Sequence, residues 1–218
     1  MGSTSTTFLI EHSVGFASVS ELAGWDGIRA LDLGSGGGIP GLVLAAWFDE
    51  AAFVLVDSNG KRARFVRDLV DDLEWSRRVT VVGARAEDAG RVGDLRGSSG
   101  LVVSRGFGPP AVTAECAAPF LGVGGTLLVS EPPGRGDGDV DALSSDDDHP
   151  PDGLTGVPVP GKSSDRWPSK PLAELGLVPR RCWRTPYAYQ ELRQEIICPE
   201  KYPRRTGVPS KRPLFGSK

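Results

Sequence analysis

Ile28-Arg29-Ala30-Leu31-Asp32-Leu33, followed at once by Gly34-Ser35-Gly36-Gly37-Gly38-Ile39-Pro40-Gly41, is a β-rich apolar run that ends in a glycine-rich turn. Glycine lets the backbone turn tightly and approach a ligand where a Cβ would collide. Apolar residues resume at Leu42 and run as a helix through about Phe48, so the stretch reads as strand, loop and helix. The alternation continues down the chain. Phe53–Asp57 predicts a second strand, and Lys61–Leu73 a helix whose apolar face carries Phe65, Val66, Leu69, Val70 and Leu73. Val79–Val82 and Leu101–Ser104 are a third and a fourth strand. A helix from about Pro110 to Leu121 leads through Gly124-Gly125 into a fifth, Thr126–Ser130. A short helix at Leu172–Leu175 and strands near Arg181–Arg184 and Glu191–Cys198 complete the series. Such a pattern predicts βαβ units, hence an α/β fold with a mostly parallel, seven-stranded sheet flanked by helices.

The 218 residues suffice for one domain with a buried core and little left over. No run of about 18 apolar residues exists, so no membrane span is expected. Met1–Thr7 lacks the basic-then-apolar pattern of a secretory leader. Cys116, Cys182 and Cys198 are scattered and lack metal-ligand spacing. A reduced, cytoplasmic, metal-free monomer is the expectation. Net charge is −3, but it is unevenly placed: Asp137–Asp165 holds eight acidic residues and one Lys, whereas Pro199–Lys218 holds six Lys/Arg and one Glu. Global charge therefore says little about partners. Residues 132–165, rich in Pro, Gly, Ser and Asp, read as a disordered acidic insertion. Residues 199–218 read as a basic tail.

The loop fits two ligands. Gly36-Gly37-Gly38-Ile39-Pro40-Gly41 satisfies G-x-G-x-x-G, the dinucleotide fingerprint. Two features favour S-adenosylmethionine (SAM) instead. Asp32 precedes the loop, where a carboxylate suits the ammonium end of the methionine moiety and repels a pyrophosphate. Pro40 removes a backbone N–H that pyrophosphate binding at a helix start would use. Asp57 ends the second strand about twenty residues on, placed to accept from ribose hydroxyls. The fold expected is thus the Rossmann-like one of class I SAM-dependent methyltransferases.

The acceptor is narrowed by what is missing. Exocyclic amines usually need an Asn/Asp-Pro-Pro-aromatic pocket after the fourth strand, where this chain has Ser104-Arg105-Gly106-Phe107-Gly108-Pro109. Carbon-5 methylation of a pyrimidine needs a cysteine nucleophile. Cys116 lies in an apolar helical pattern and Cys198 has no evident base beside it. A ring nitrogen such as guanine N7 attacks with its own lone pair and needs alignment alone.

Five strings, LDLGSGGGIPGLVLA (31–45), LVDSNGKRARFV (55–66), ARAED (84–88), VVSRGF (102–107) and KYPRRTGVPSKRPLF (201–215), together resemble the RsmG (GidB) family of bacterial small-subunit ribosomal RNA methyltransferases, which form N7-methylguanosine. Glu11-His12-Ser13-Val14 is similar to the end of that family's His segment. The resemblance implies SAM contacts from Gly34, Gly36, Gly38 and Ile39, with Asp32 and Ser35 in the same loop. It implies Asp57 and Ser58 on the ribose and Ala86 and Glu87 on the adenine. Arg105 would face both cofactor and incoming base, as the catalytic residue. Lys201, Arg204, Arg205, Lys211 and Arg212, with Tyr202 and Phe215 among them, form an expected RNA-contacting edge, since cations neutralise phosphates and aromatic rings stack on bases. The partner implied is ribosomal RNA or the small subunit. Three departures stand out. Only 27 residues precede Ile28, where the family carries several dozen. Glu131-Pro132 replaces Lys-Gly after the fifth strand, with the acidic insertion behind it. Gly106 replaces Ala after Arg105. A carboxylate at Glu131 would repel RNA phosphates. The alternatives are a methyltransferase of a small molecule or protein, and a non-catalytic SAM-binding module on the ribosome.

Overall fold

The computed structural model of the chain describes residues 6–19, 28–132, 160–161, 165–183 and 187–216. The predicted insertion lies almost wholly outside them. Strands β1 (Arg29–Leu33), β2 (Ala52–Val56), β3 (Val79–Val82), β4 (Ser99–Ser104), β5 (Leu121–Glu131), β6 (Pro160–Gly161), β7 (Leu177–Trp183) and β8 (Ala188–Gln194) form one sheet in the order β3-β2-β1-β4-β5-β8-β7-β6. The first five are parallel and the last three antiparallel. The seven expected strands are all present, and the two-residue β6 adds an eighth at the edge.

Seven helices, α1 (Thr6–Val19), α2 (Gly41–Trp47), α3 (Gly60–Asp72), α4 (Ala86–Ala89), α5 (Pro110–Ala117), α6 (Ser169–Ala173) and α7 (Val208–Lys211), are found among the described residues. Side chains alternate across each strand, and the core divides accordingly. Leu31, Leu33, Val54, Val56 and Val102 enter one cluster with α5, Phe120 and Trp167. Ala30, Phe53, Leu55, Leu101 and Val103 enter the other with Phe16 of α1, Leu44 of α2 and Val66 of α3. A sheet covered on both faces needs this continuous apolarity in its central strands. The order reverses between β1 and β4, and ligands of open parallel sheets bind at the carboxyl ends beside such a reversal.

The helical pattern at Lys61–Leu73 is only partly right about what faces inward. Ala63, Val66 and Val70 are buried, whereas Phe65 and Leu73 are exposed. The i, i+3, i+7 stripe centred on Val66 meets the sheet, and Phe65 lies a residue off it. Asn59 starts the helix, its Oδ1 accepting from the backbone N–H groups of Lys61 and Arg62 at 3.0 and 3.2 Å. The segment before β1 holds helix α1, which packs on α2 and on the β8 end of the sheet. Its Gly15 is required by close approach: a Cβ there would lie 2.1 Å from the Tyr189 hydroxyl, which donates to the His12 carbonyl at 2.7 Å.

Candidate active site

The glycine loop is built by its neighbours as much as by its own sequence. Gly34 and Ser35 both donate to the Val56 carbonyl, at 2.8 and 3.0 Å, which folds the loop back over β2. Gly34 has φ +77°, and a Cβ there would also meet the Phe107 ring at 2.7 Å, so conformation and space exclude a side chain independently. Asp57 ties the loop to the second strand end. Its Oδ2 accepts from Gly36 N at 2.8 Å and its Oδ1 from Asn59 N at 2.7 Å. Arg62 stands 3.9 Å away.

These residues open onto a cavity of about 390 Å³, whose walls include Gly34, Asp57, Ser58, Ala86, Glu87 and Phe107. Five of the six were singled out from sequence. A second hollow, about 510 Å³, adjoins it across Gly106 and Phe107 and holds Arg105, Glu131 and Arg166. Arg105 therefore stands at the neighbouring chamber. Gly38 faces Leu42 and Val66, where a Cβ would meet Leu42 at 2.6 Å, so the missing side chain also lets α2 and α3 close on the loop.

Asp32 lies beneath the loop and is wholly buried. Its Oδ2 accepts from Gly41 N at 2.8 Å, serving the start of α2, which Pro40 cannot cap. Its Oδ1 has no partner, and neither does the buried Ser35 Oγ. Burial pushes the Asp32 carboxyl up to about 7, against the pull of the Gly41 N–H and the Arg105 charge. Two unmet acceptors beside a glycine cradle fit the N–H-rich ammonium end of an amino-acid ligand. Between the unfolded value near 3.8 and about 7 the folded chain holds a proton that the unfolded chain has lost, so this group's contribution to stability falls as pH rises through that window. Asp32→Asn should flatten the decline. The check is urea unfolding of parent and variant from pH 4 to 8; parallel curves would refute the ionisation.

The chemistry around Arg105 includes a group that the sequence indicated only by resemblance. His12 of α1 is held neutral, its imidazole lowered to about 4 by burial and by the Arg105 charge. The same charge bears on Tyr189. Phe16, Tyr187 and Tyr189 surround the imidazole with ring centroids 4.8–5.7 Å away. Burial raises the Cys116 thiol far out of the reactive range and that of Cys198 to about 11, consistent with core positions.

The basic tail is a strap, docked by its own residues. Arg204 donates to the fully buried Glu115 from its backbone N (2.9 Å), Nε (2.8 Å) and Nη2 (2.6 Å). This bridge occupies the guanidinium expected on RNA. Tyr202 is likewise buried, its hydroxyl 3.1 Å from Glu174, so it offers no free stacking face. Arg96 donates to the carbonyls of Gly90, Cys198, Pro199 and Tyr202. Gly207 N donates to Glu87 at 2.9 Å, Thr206 to Asp88 at 2.6 Å, and Ser210 lines the first cavity. Arg205, Lys211 and Arg212 are exposed outside, as is Lys201, whose ammonium sits over the Tyr202 ring. The repulsion expected from Glu131 is answered in place: Arg166 pairs with it and Trp167 Nε1 donates to it at 2.8 Å. Among the described residues no metal-binding cluster occurs, and no helix is long and apolar enough to cross a membrane.

Residues 3–132 match the family model GidB, rRNA small subunit methyltransferase G. Curated relatives include Ribosomal RNA small subunit methyltransferase G of Moorella thermoacetica, 32% identical over 193 residues, covering 85% of this chain and 69% of that protein. The protein of the same name from Parasynechococcus marenigrum is 34% identical over 188 residues, covering 86% and 68%. Among solved structures, geranyl diphosphate C-methyltransferase from Streptomyces coelicolor aligns with a TM-score of 0.48 and 16% identity, over 55% of this chain and 44% of that one.

Proposed function

The chain belongs to the GidB family, rRNA small subunit methyltransferase G, and from that premise we propose that it methylates N7 of a guanine in small-subunit ribosomal RNA, using SAM. One observation carries the reading: the Asp57 cavity and the Arg105 hollow meet at Gly106 and Phe107, so a cofactor held in one can face a base held in the other. When bound, SAM supplies an electrophilic methyl group on a sulfonium. Asp32, Gly34, Ser35, Gly36, Gly38 and Ile39 hold its amino-acid end, Asp57 and Ser58 its ribose, and Ala86 and Glu87 its adenine. Arg105 orients the base through its guanidinium donors, and the positive charge that N7 gains is the one the sulfonium gives up. Guanine N7 needs no proton removed, so the neutral His12 and the unreactive thiols are consistent with transfer by alignment. Lys201, Arg205, Lys211 and Arg212 meet RNA phosphates, and Arg204 holds the strap that presents them. The chain acts as a cytoplasmic monomer; the burial of Cys116, Cys182 and Cys198 as thiols outside any disulfide supports a reducing compartment.

The test is tritiated methyl transfer from SAM to small subunits lacking the N7-methylguanosine mark, with the labelled base mapped. The expected result is label on one guanine at N7, reduced at least tenfold in kcat by Arg105→Ala. Absence of label from a preparation that binds SAM would transfer the reading to another acceptor or to a non-catalytic module.

A further inference from the structure

A third hollow, about 500 Å³, opens beside the Arg105 chamber and takes no part in the function just described. Pro109, Pro110 and Arg166 wall both hollows, and Pro213 and Phe215 of the strap close the far side. Its size falls in the range of roughly 300–1,000 Å³ typical of small-molecule sites. We propose that it seats the unstacked nucleotide next to the target guanine in single-stranded RNA, with the base lying against Phe215. The inference rests on the RNA-methylating reading and gives it a second point of recognition.

The occupant follows from position and chemistry. A base that leaves its stack to enter the Arg105 chamber exposes the face of its neighbour at the mouth, one wall away. That neighbour needs a flat apolar surface beneath it and cations for its phosphates. Prolines on two sides and a phenyl ring supply the first. The ring is partly buried and packed on the core, so it is held in place before RNA arrives. Lys211 and Arg212, both exposed, precede Pro213 directly and supply the second. Of the tail's two aromatic residues, Tyr202 is turned inward to Glu174, which leaves Phe215 to stack. Base–aromatic stacking is indifferent to base identity, so the hollow strengthens capture of the strand more than it reads its sequence.

The experiment uses the full chain. Phe215→Ala should lower kcat/KM for unmethylated small subunits by roughly 5- to 150-fold, the range set by loss of one stacked base, mainly through KM. Phe215→Trp should keep it within about threefold. Titration with S-adenosylhomocysteine verifies that both variants keep a folded cofactor site. In a second measurement, 2-aminopurine beside the mapped guanine in an RNA oligonucleotide should lose fluorescence on binding the parent and keep it with Phe215→Ala. Equal kcat/KM for parent and Phe215→Ala overturns the proposal. So does fluorescence that is unchanged by the parent, which would mean that the hollow serves another occupant. A parent that binds S-adenosylhomocysteine yet methylates no RNA removes the underlying reading, and the proposal with it.

Discussion

Replacing Arg204 by alanine lowers the free energy of unfolding by about 3–5 kcal/mol, because it strands a buried charge. Glu115 has no exposed surface on α5, and all three of its hydrogen bonds from the strap come from residue 204. The variant keeps only the backbone donor. For a chain of this size each kcal/mol moves the melting temperature by about 2–4 °C, so the drop should be roughly 6–20 °C. Arg205→Ala, one residue away and exposed, should stay within about 0.5 kcal/mol. Replacing both partners by apolar residues, as in Glu115→Leu with Arg204→Met, should recover much of the loss, since no charge is then left alone. Thermal melts of the three variants decide the matter; a single Arg204 variant that melts with the parent would show the bridge to be incidental.

Asp57→Ala weakens binding of S-adenosylhomocysteine by about 100-fold or more. The carboxylate both shapes the loop, through Gly36 N and Asn59 N, and faces the cavity. Hydrogen bonds to charged groups contribute about 1.5–3 kcal/mol each, so losing two supporting bonds together with the ribose acceptor reaches that factor. Asp57→Asn keeps one acceptor oxygen and should fall between, near tenfold. Calorimetric titration reads both. If Asp57→Ala bound S-adenosylhomocysteine as tightly as the parent, the cofactor assignment would fail.

The contrast between these two residues explains what could be read before the fold was known. Asp57 belongs to a local pattern: apolar strand, acidic end, then a helix start at Asn59. Its distance from Gly34 along the chain is fixed by one βαβ unit, so sequence spacing carries spatial meaning. The glycine loop is legible for the same reason. Arg204 has no such pattern. In a run of Lys and Arg it reads as a solvated charge, and its partner lies 89 residues away. Tyr202, turned toward Glu174, misleads in the same manner, and Ser210 carries no signal at all, since it reaches the cofactor cavity only because the strap is docked. Phe65 shows a smaller failure: periodicity found the helix but overestimated the width of its buried face.

The strap has a consequence for the order in which the protein is made. Glu87 and Gly207 are separated by 120 residues. At about 5–20 residues per second of synthesis, the carboxylate exists for roughly 6–24 s before the backbone that will hold it. Glu115 waits almost as long for Arg204. Until then the sheet can form, since β1 to β4 and their helices are already present, but one wall of the cavity is missing and a carboxylate destined for the core must stay in water. Competence to bind the cofactor is therefore acquired only after Gly207 is made, when the strap docks.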